Sequence, residues 1–259
     1  MKLLLLTLFT VFFSSLSFIR CDFIASDDIS QFNTETPESL GDPQFLGFRK
    51  QSFQIHGIDR QVYSIVSDSL IQVNARFDFI DQGRCPVYTG ISSSMKPLSC
   101  WSRPGSYFGL ITIQTVNGDR ILVDAGSAHH GFQSVIFNGH SLTKNDLGEI
   151  IYGKPGSDRT TIVLNDSHHL SITAGIFTID IDNSDMFVNI GSVVVNDWSR
   201  LIHKIKSHGL LGQTWKLLTD KNRGVEVAEI EGIIDDYAEV ANDIWGFNTI
   251  YSNFIPMYR

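Results

Sequence analysis

Cysteine is scarce in this chain. It has three, Cys21, Cys85 and Cys100, and no two are spaced Cys-x-x-Cys, so the sequence encodes no recognisable zinc knuckle. Histidine offers no metal spacing either. His129-His130 and His168-His169 are adjacent pairs, and neighbours on a strand point to opposite faces, so one member of each pair at most can serve a given site. No His-x-His, His-Glu-x-x-His or Gly-x-Ser-x-Gly run occurs, which leaves a hydrolase without an evident metal or nucleophile. Positive charge is short as well. Twenty Lys and Arg stand against 28 Asp and Glu, a net charge of −8, which argues against nucleic acid and anionic membrane surfaces as partners. After the N-terminus no apolar window reaches the roughly 20 residues of a membrane span. The end of the chain, Ile250 to Arg259, has no lipid-anchor tail and no retrieval tetrapeptide.

What is present begins with a secretory signal. Lys2 supplies the basic start, Leu3 to Phe13 is apolar, and Ser15 and Ser17 suit the −3 and −1 positions of a cleavage site. The apolar run is shorter than a membrane-spanning helix. Residues 1–21 are therefore read as the signal peptide, with cleavage between 17 and 21, and the product as secreted and extracellular. If Cys21 leaves with the signal, Cys85 and Cys100 remain as one even pair, and in an oxidising compartment such a pair usually bonds. Two free buried thiols are the alternative. A bridge closing a loop of this size is worth about 3 kcal/mol in the chain-entropy account. Asn165-Asp166-Ser167 is a glycosylation acceptor in a secreted chain.

Residues 22–40 are polar and acidic, and read as a flexible leader. From Gly41 the apolar period is two. Ile71, Val73, Ala75, Phe77 and Phe79 alternate with Gln72, Asn74, Arg76 and Asp78, which predicts a strand with one buried and one wet face. Phe177, Ile179 and Ile181 alternate with Thr178, Asp180 and Asp182 in the same way, and Met186 to Val195 is a further strand interrupted at Gly191. Asn117-Gly118, Asn138-Gly139, Ala174-Gly175 and Asn196-Asp197 mark turns. Helical spacing appears at Trp198, Leu201, Ile202 and Ile205, which predicts one short helix near 198–206. The fold class is mainly β, in antiparallel, sandwich-like sheets, with residues 41–259 as a single domain that includes an acidic C-terminal tail.

The carboxylates have plain readings. Asp180, Asp182, Asn183 and Asp185 form an oxygen cluster. An EF-hand loop needs Gly sixth and Glu twelfth, where Asp185 and Gly191 stand. Asp235-Asp236, and the acidic stretch Glu226 to Asp243 around it, read as solvated surface. Ile121 to Gly126 resembles a strand of the metallo-β-lactamase fold, but the histidine cluster that binds zinc there is absent.

Two motifs bracket the body. Gly41-Asp42-Pro43-Gln44-Phe45, followed by Phe48 and Phe53, resembles the opening of von Willebrand factor type D domains. His208-Gly209-Leu210-Leu211-Gly212-Gln213 is similar to the closing Gly-Leu-x-Gly motif of that family, and closer to the form in its cysteine-poor relatives, small secreted amoebal and root-cap-like proteins. The resemblance implies an extracellular β-domain closed by these two segments. It departs where the family resembles calcium sites, since Arg49 follows Phe48 and Thr214-Trp215-Lys216 follows Gln213. A cation repels a metal, and the family's closing cysteine is Leu211 here, so disulfide-linked multimers are not implied. The expectation is a secreted, monomeric, non-catalytic binding or matrix module, without cofactor or metal, whose partner is an extracellular protein or glycan. A secreted hydrolase or carbohydrate-processing enzyme and a calcium-dependent lectin-like module are the alternatives.

Overall fold

The computed structural model describes residues 38–40, 44–48, 52–79, 106–125, 131–156, 158–184, 187–196, 207–215 and 231–256. The predicted signal peptide, most of the predicted leader, Gly41 to Pro43, the predicted Cys85–Cys100 pair, Asp185 and the predicted helix near 198–206 lie outside the described residues.

Fourteen antiparallel strands build one large curled sheet. They are β1 (Glu38–Leu40), β2 (Gln44–Leu46), β3 (Ser52–Gln54), β4 (Val62–Ser67), β5 (Ile71–Phe79), β6 (Ser106–Thr115) and β7 (Arg120–Asp124). Then come β8 (Ser134–Phe137), β9 (His140–Leu142), β10 (Ile150–Tyr152), β11 (Thr161–Leu164), β12 (His169–Ala174), β13 (Phe177–Ser184) and β14 (Phe187–Val195). In strands such as β5, β12 and β13 the alternating apolar residues favour extended backbone because period two puts them on one face. The turns follow from their residues: Asn138 and Gly139, at φ 50° and 83°, close the β8–β9 hairpin with the left-handed pair such a tight turn requires. Among the described residues no helix is long and apolar enough to cross a membrane.

The sheet branches at β6. One edge of β6 pairs with β5 along its whole length. The other edge is shared, with β14 opposite Phe108 and β7 opposite Leu110 to Gln114. Two wings leave this junction, β7–β8–β9 and β14–β13–β12–β11–β10. Their inward side chains, among them Ile111, Ile113, Ile121, Val123, Ile172, Ile179 and Ile190, belong to one continuous core.

The bracketing motifs meet beside β4. The backbone of Leu210 and Leu211 donates to Ser64 and Ile65 carbonyls, and His208 and Ser67 exchange two hydrogen bonds. Gly209 sits at φ +96°, where a Cβ would lie 2.6 Å from the Ile65 carbonyl oxygen. Both the left-handed backbone and the close approach require glycine there. Leu210 and Leu211 are consequently core residues. The Phe48 N–H donates to Thr214 Oγ1 at 2.9 Å, and the Phe48 and Trp215 rings meet edge to face at 5.1 Å. Gln213 Oε1 accepts from the Tyr237 hydroxyl, which ties the closing motif to the C-terminal segment.

Two expectations are corrected here. The polar face of β5 is not wet along its length: Gln72 and Asn74 are 1% exposed, while Phe79, expected inside, is 52% exposed. The acidic C-terminal stretch is not all solvated surface, because Glu239 is 3% exposed and only 5% of the Glu231 side chain reaches solvent. The burial of Gln72, Asn74 and Glu239 has one cause: residues 231–256 run back over the outer face of β4, β5 and β6, a second layer that covers what period-two patterning assigns to water.

Candidate functional site

Where the C-terminal segment stops covering the sheet, a trough opens over β7 and β8. Its cavity is about 790 Å³. The floor is Leu122 and Ile136, directly opposite each other on adjacent strands and both facing outward. Trp245 and Phe247 supply its aromatic lining, and Arg120, Asn138 and Lys154 its polar lining. The Arg120 guanidinium carbon lies 5.2 Å from the centre of the Trp245 ring, a cation–π contact.

The aromatic wall is hung from the polar face of the sheet. Asn74 Nδ2 donates to the Gly246 carbonyl at 2.8 Å and Gln114 Nε2 to the Trp245 carbonyl at 2.7 Å. Thr112 Oγ1 donates to the Ile244 carbonyl. Three buried polar side chains thus satisfy three consecutive backbone acceptors of a segment that belongs to no strand, as buried carbonyls demand. Behind the wall sits Glu239. Its Oε2 accepts from the Asn248 N–H at 3.3 Å, while Oε1 has no partner. Burial pushes this carboxyl up to about 7, opposed by the Asn248 N–H and reinforced by Asp243. Gly246 passes so close that a Cβ there would lie 2.3 Å from Glu239 Oε2.

The polar lining is gathered by Asp119, which is fully buried. Its carboxylate accepts from the Lys154 N–H at 3.0 Å and from Asn138 Nδ2 at 2.8 Å. Asn138 Oδ1 in turn accepts from the Arg120 N–H at 2.9 Å, and Lys154 Nζ donates to the Gly118 carbonyl at 2.8 Å. One carboxylate therefore pins the β6–β7 turn, the β8–β9 turn and the loop after β10 at the edge of the trough.

The residues singled out in the sequence lie elsewhere. His208, Leu210, Leu211, Gly212 and Gln213 hold the backbone closure described above. His208 Nδ1 is 2.8 Å from Glu231 Oε2, and its ring stacks on Tyr251 with centroids 6.1 Å apart. The β12–β13–β14 face carries Asp180 and Asp182 of the expected oxygen cluster, over a second cavity of about 430 Å³, while Asn183 is buried on the opposite face and Asp185 lies outside the described residues. The face is organised as cross-strand rows. Ser171 and Ser192 each donate to Asp180 at 2.6 Å, and His169 Nδ1 lies 2.5 Å from Asp182. That contact with Asp182 raises His169 above the usual imidazole range. Asn165, read from the sequence as a glycosylation acceptor, borders the same face, exposed, with its amide on Ser171 Oγ at 3.1 Å. Both Asp180 oxygens are thus occupied by hydroxyl donors, and no group of three or more His, Cys, Asp or Glu among the described residues is placed to hold a metal.

Sequence reasoning missed Asp119, Arg120, Glu239, Trp245 and Phe247. The available signal was Trp245-Gly246-Phe247, two large aromatics around a glycine just beyond the acidic stretch that ends at Asp243. No protein-family model matches this chain, and no curated protein sequence matches it.

Proposed function

We propose that this protein is a secreted, non-catalytic extracellular module that binds carbohydrate in the trough over β7 and β8. The observation that carries the reading is the combination, in one cavity, of Trp245, Phe247, Leu122 and Ile136 with the hydrogen-bond donors of Arg120, Asn138 and Lys154. A sugar ring presents an apolar C–H face and a hydroxyl edge, and a concave site with apolar walls and a few placed polar groups suits both. The described lining residues include no carboxylate, whereas glycosidases commonly work with a facing pair of them. Binding is favoured over hydrolysis on that ground. Secretion rests on the Lys2, Leu3–Phe13 and Ser15/Ser17 pattern.

Calorimetric titration of the mature protein with a panel of oligosaccharides tests the proposal. The expected result is saturable binding to at least one class, reduced at least tenfold by Trp245→Ala in a protein that still melts cooperatively. A panel that shows no heat and no shift in melting temperature overturns it.

A further inference from the structure

We infer that the trough selects acidic sugars, and that Arg120 reads their carboxylate. This rests on the carbohydrate reading above and specifies its ligand.

Charge gives the first reason. The chain carries a net −8, yet the charged residues lining the trough are Arg120 and Lys154, both cations. A concave surface whose sign opposes that of the whole molecule concentrates anions locally. The nearest rim carboxylate, Asp119, does not reach the opening. It is fully buried and its oxygens are turned to the Lys154 N–H and the Asn138 amide.

Geometry gives the second. Arg120 lies against the indole of Trp245, which restrains a side chain that otherwise loses much rotamer entropy on binding. An arginine anchored over an aromatic ring still has N–H donors to offer a planar, two-oxygen acceptor. An ammonium cannot make that bidentate match. Asn138 fixes the backbone beneath it through the Arg120 N–H, so the fork is placed from both ends.

The two reasons converge on one ligand class, a uronate unit in an oligosaccharide. The carboxylate meets Arg120, and the C–H face of the ring lies on Leu122, Ile136 and Phe247. Lys154 adds charge at the rim without selecting for shape.

The test compares an oligouronate with the matched oligosaccharide whose carboxyl groups have been reduced to alcohols, using the full mature chain. Binding of the acidic oligomer is expected to be at least tenfold tighter. That preference should shrink as salt rises, because the ion pair is partly exposed. Arg120→Met should bring the acidic oligomer down to the affinity of the neutral one. Arg120→Lys, which keeps the charge and loses the fork, should recover less than half of the lost binding free energy. Equal binding of the two oligomers overturns the acidic preference and leaves the carbohydrate reading standing. Full recovery by Arg120→Lys overturns the bidentate assignment. Binding of neither oligomer, or of any other sugar, removes both readings together.

Discussion

Asp119 shows how a single side chain can organise a surface. It has no room for water, and it accepts from donors on two other loops. Replacing it with alanine removes the acceptor of a part-buried backbone N–H and a part-buried amide, both on exposed residues that water can partly re-solvate. Asp119→Ala is therefore expected to lower stability by about 1–3 kcal/mol in urea denaturation and to weaken ligand binding, since Asn138 and Lys154 lose their common anchor. Asp119→Asn, which keeps one acceptor oxygen, should fall between the parent and the alanine variant. An alanine variant as stable as the parent would mean that the three loops are held by their own backbones. Nothing in the sequence marks Asp119 out. It follows an Asn-Gly turn, where an aspartate is ordinarily exposed, and its burial depends on loops that arrive 19 and 35 residues later.

The C-terminal segment is the element that departs most from its sequence. Its acidity suggests solvent, yet it lies on the sheet as a second layer and takes three side-chain hydrogen bonds through consecutive carbonyls. Glu239 makes that layer sensitive to pH. The carboxyl moves from an ordinary value of 4.5 when unfolded to about 7 when folded. Between those limits the native state holds more protons than the unfolded chain, so the stability it contributes is complete below about 4.5 and lost as pH rises through about 7. Buried Asp68, raised chiefly by desolvation, and His169, raised chiefly by Asp182, act in the same direction. The melting temperature should thus fall between pH 5 and pH 8. Glu239→Gln keeps the shape without the titration, so it should flatten part of that slope and exceed the parent in stability at pH 8. Parallel curves for variant and parent would assign the slope to the other two groups. Element type and turn position were legible in the sheet itself, as β5, the Asn138-Gly139 turn and the β12–β13 hairpin show. Which faces are covered was not, because cover comes from a segment some 170 residues away along the chain.

For the molecule as a whole, closure depends on the Ser207 to Trp215 segment. It pairs with the outer edge of β4, contributes Leu210 and Leu211 to the common core, and anchors the C-terminal segment through Gln213. A chain ending at residue 206 loses all three. It should show no cooperative melt, and Leu211→Ala in the full chain should cost about 2–5 kcal/mol, the range for a large-to-small change in a packed core. A truncated chain that melts cooperatively would show that the branched sheet is sufficient by itself. The two bracketing motifs were visible in the sequence because glycine and large apolar residues in fixed order carry their own constraint. Their meeting, through Phe48 with Thr214 and Trp215, required the fold.

The sequence by itself determined the mainly β, antiparallel class, the strands of clean alternation such as β5 and β13, and turns such as Asn138-Gly139 and Ala174-Gly175. Each of these is written in local periodicity, and period two needs no distant partner to be read. The tertiary structure alone decided that β6 shares one edge between β7 and β14, that Gln72, Asn74 and Glu239 are buried, and that Trp245 stands beside Arg120 over Leu122 and Ile136. These are contacts between segments far apart in the chain. They depend on which surface a segment meets after the sheet has curled, and local pattern carries no record of that.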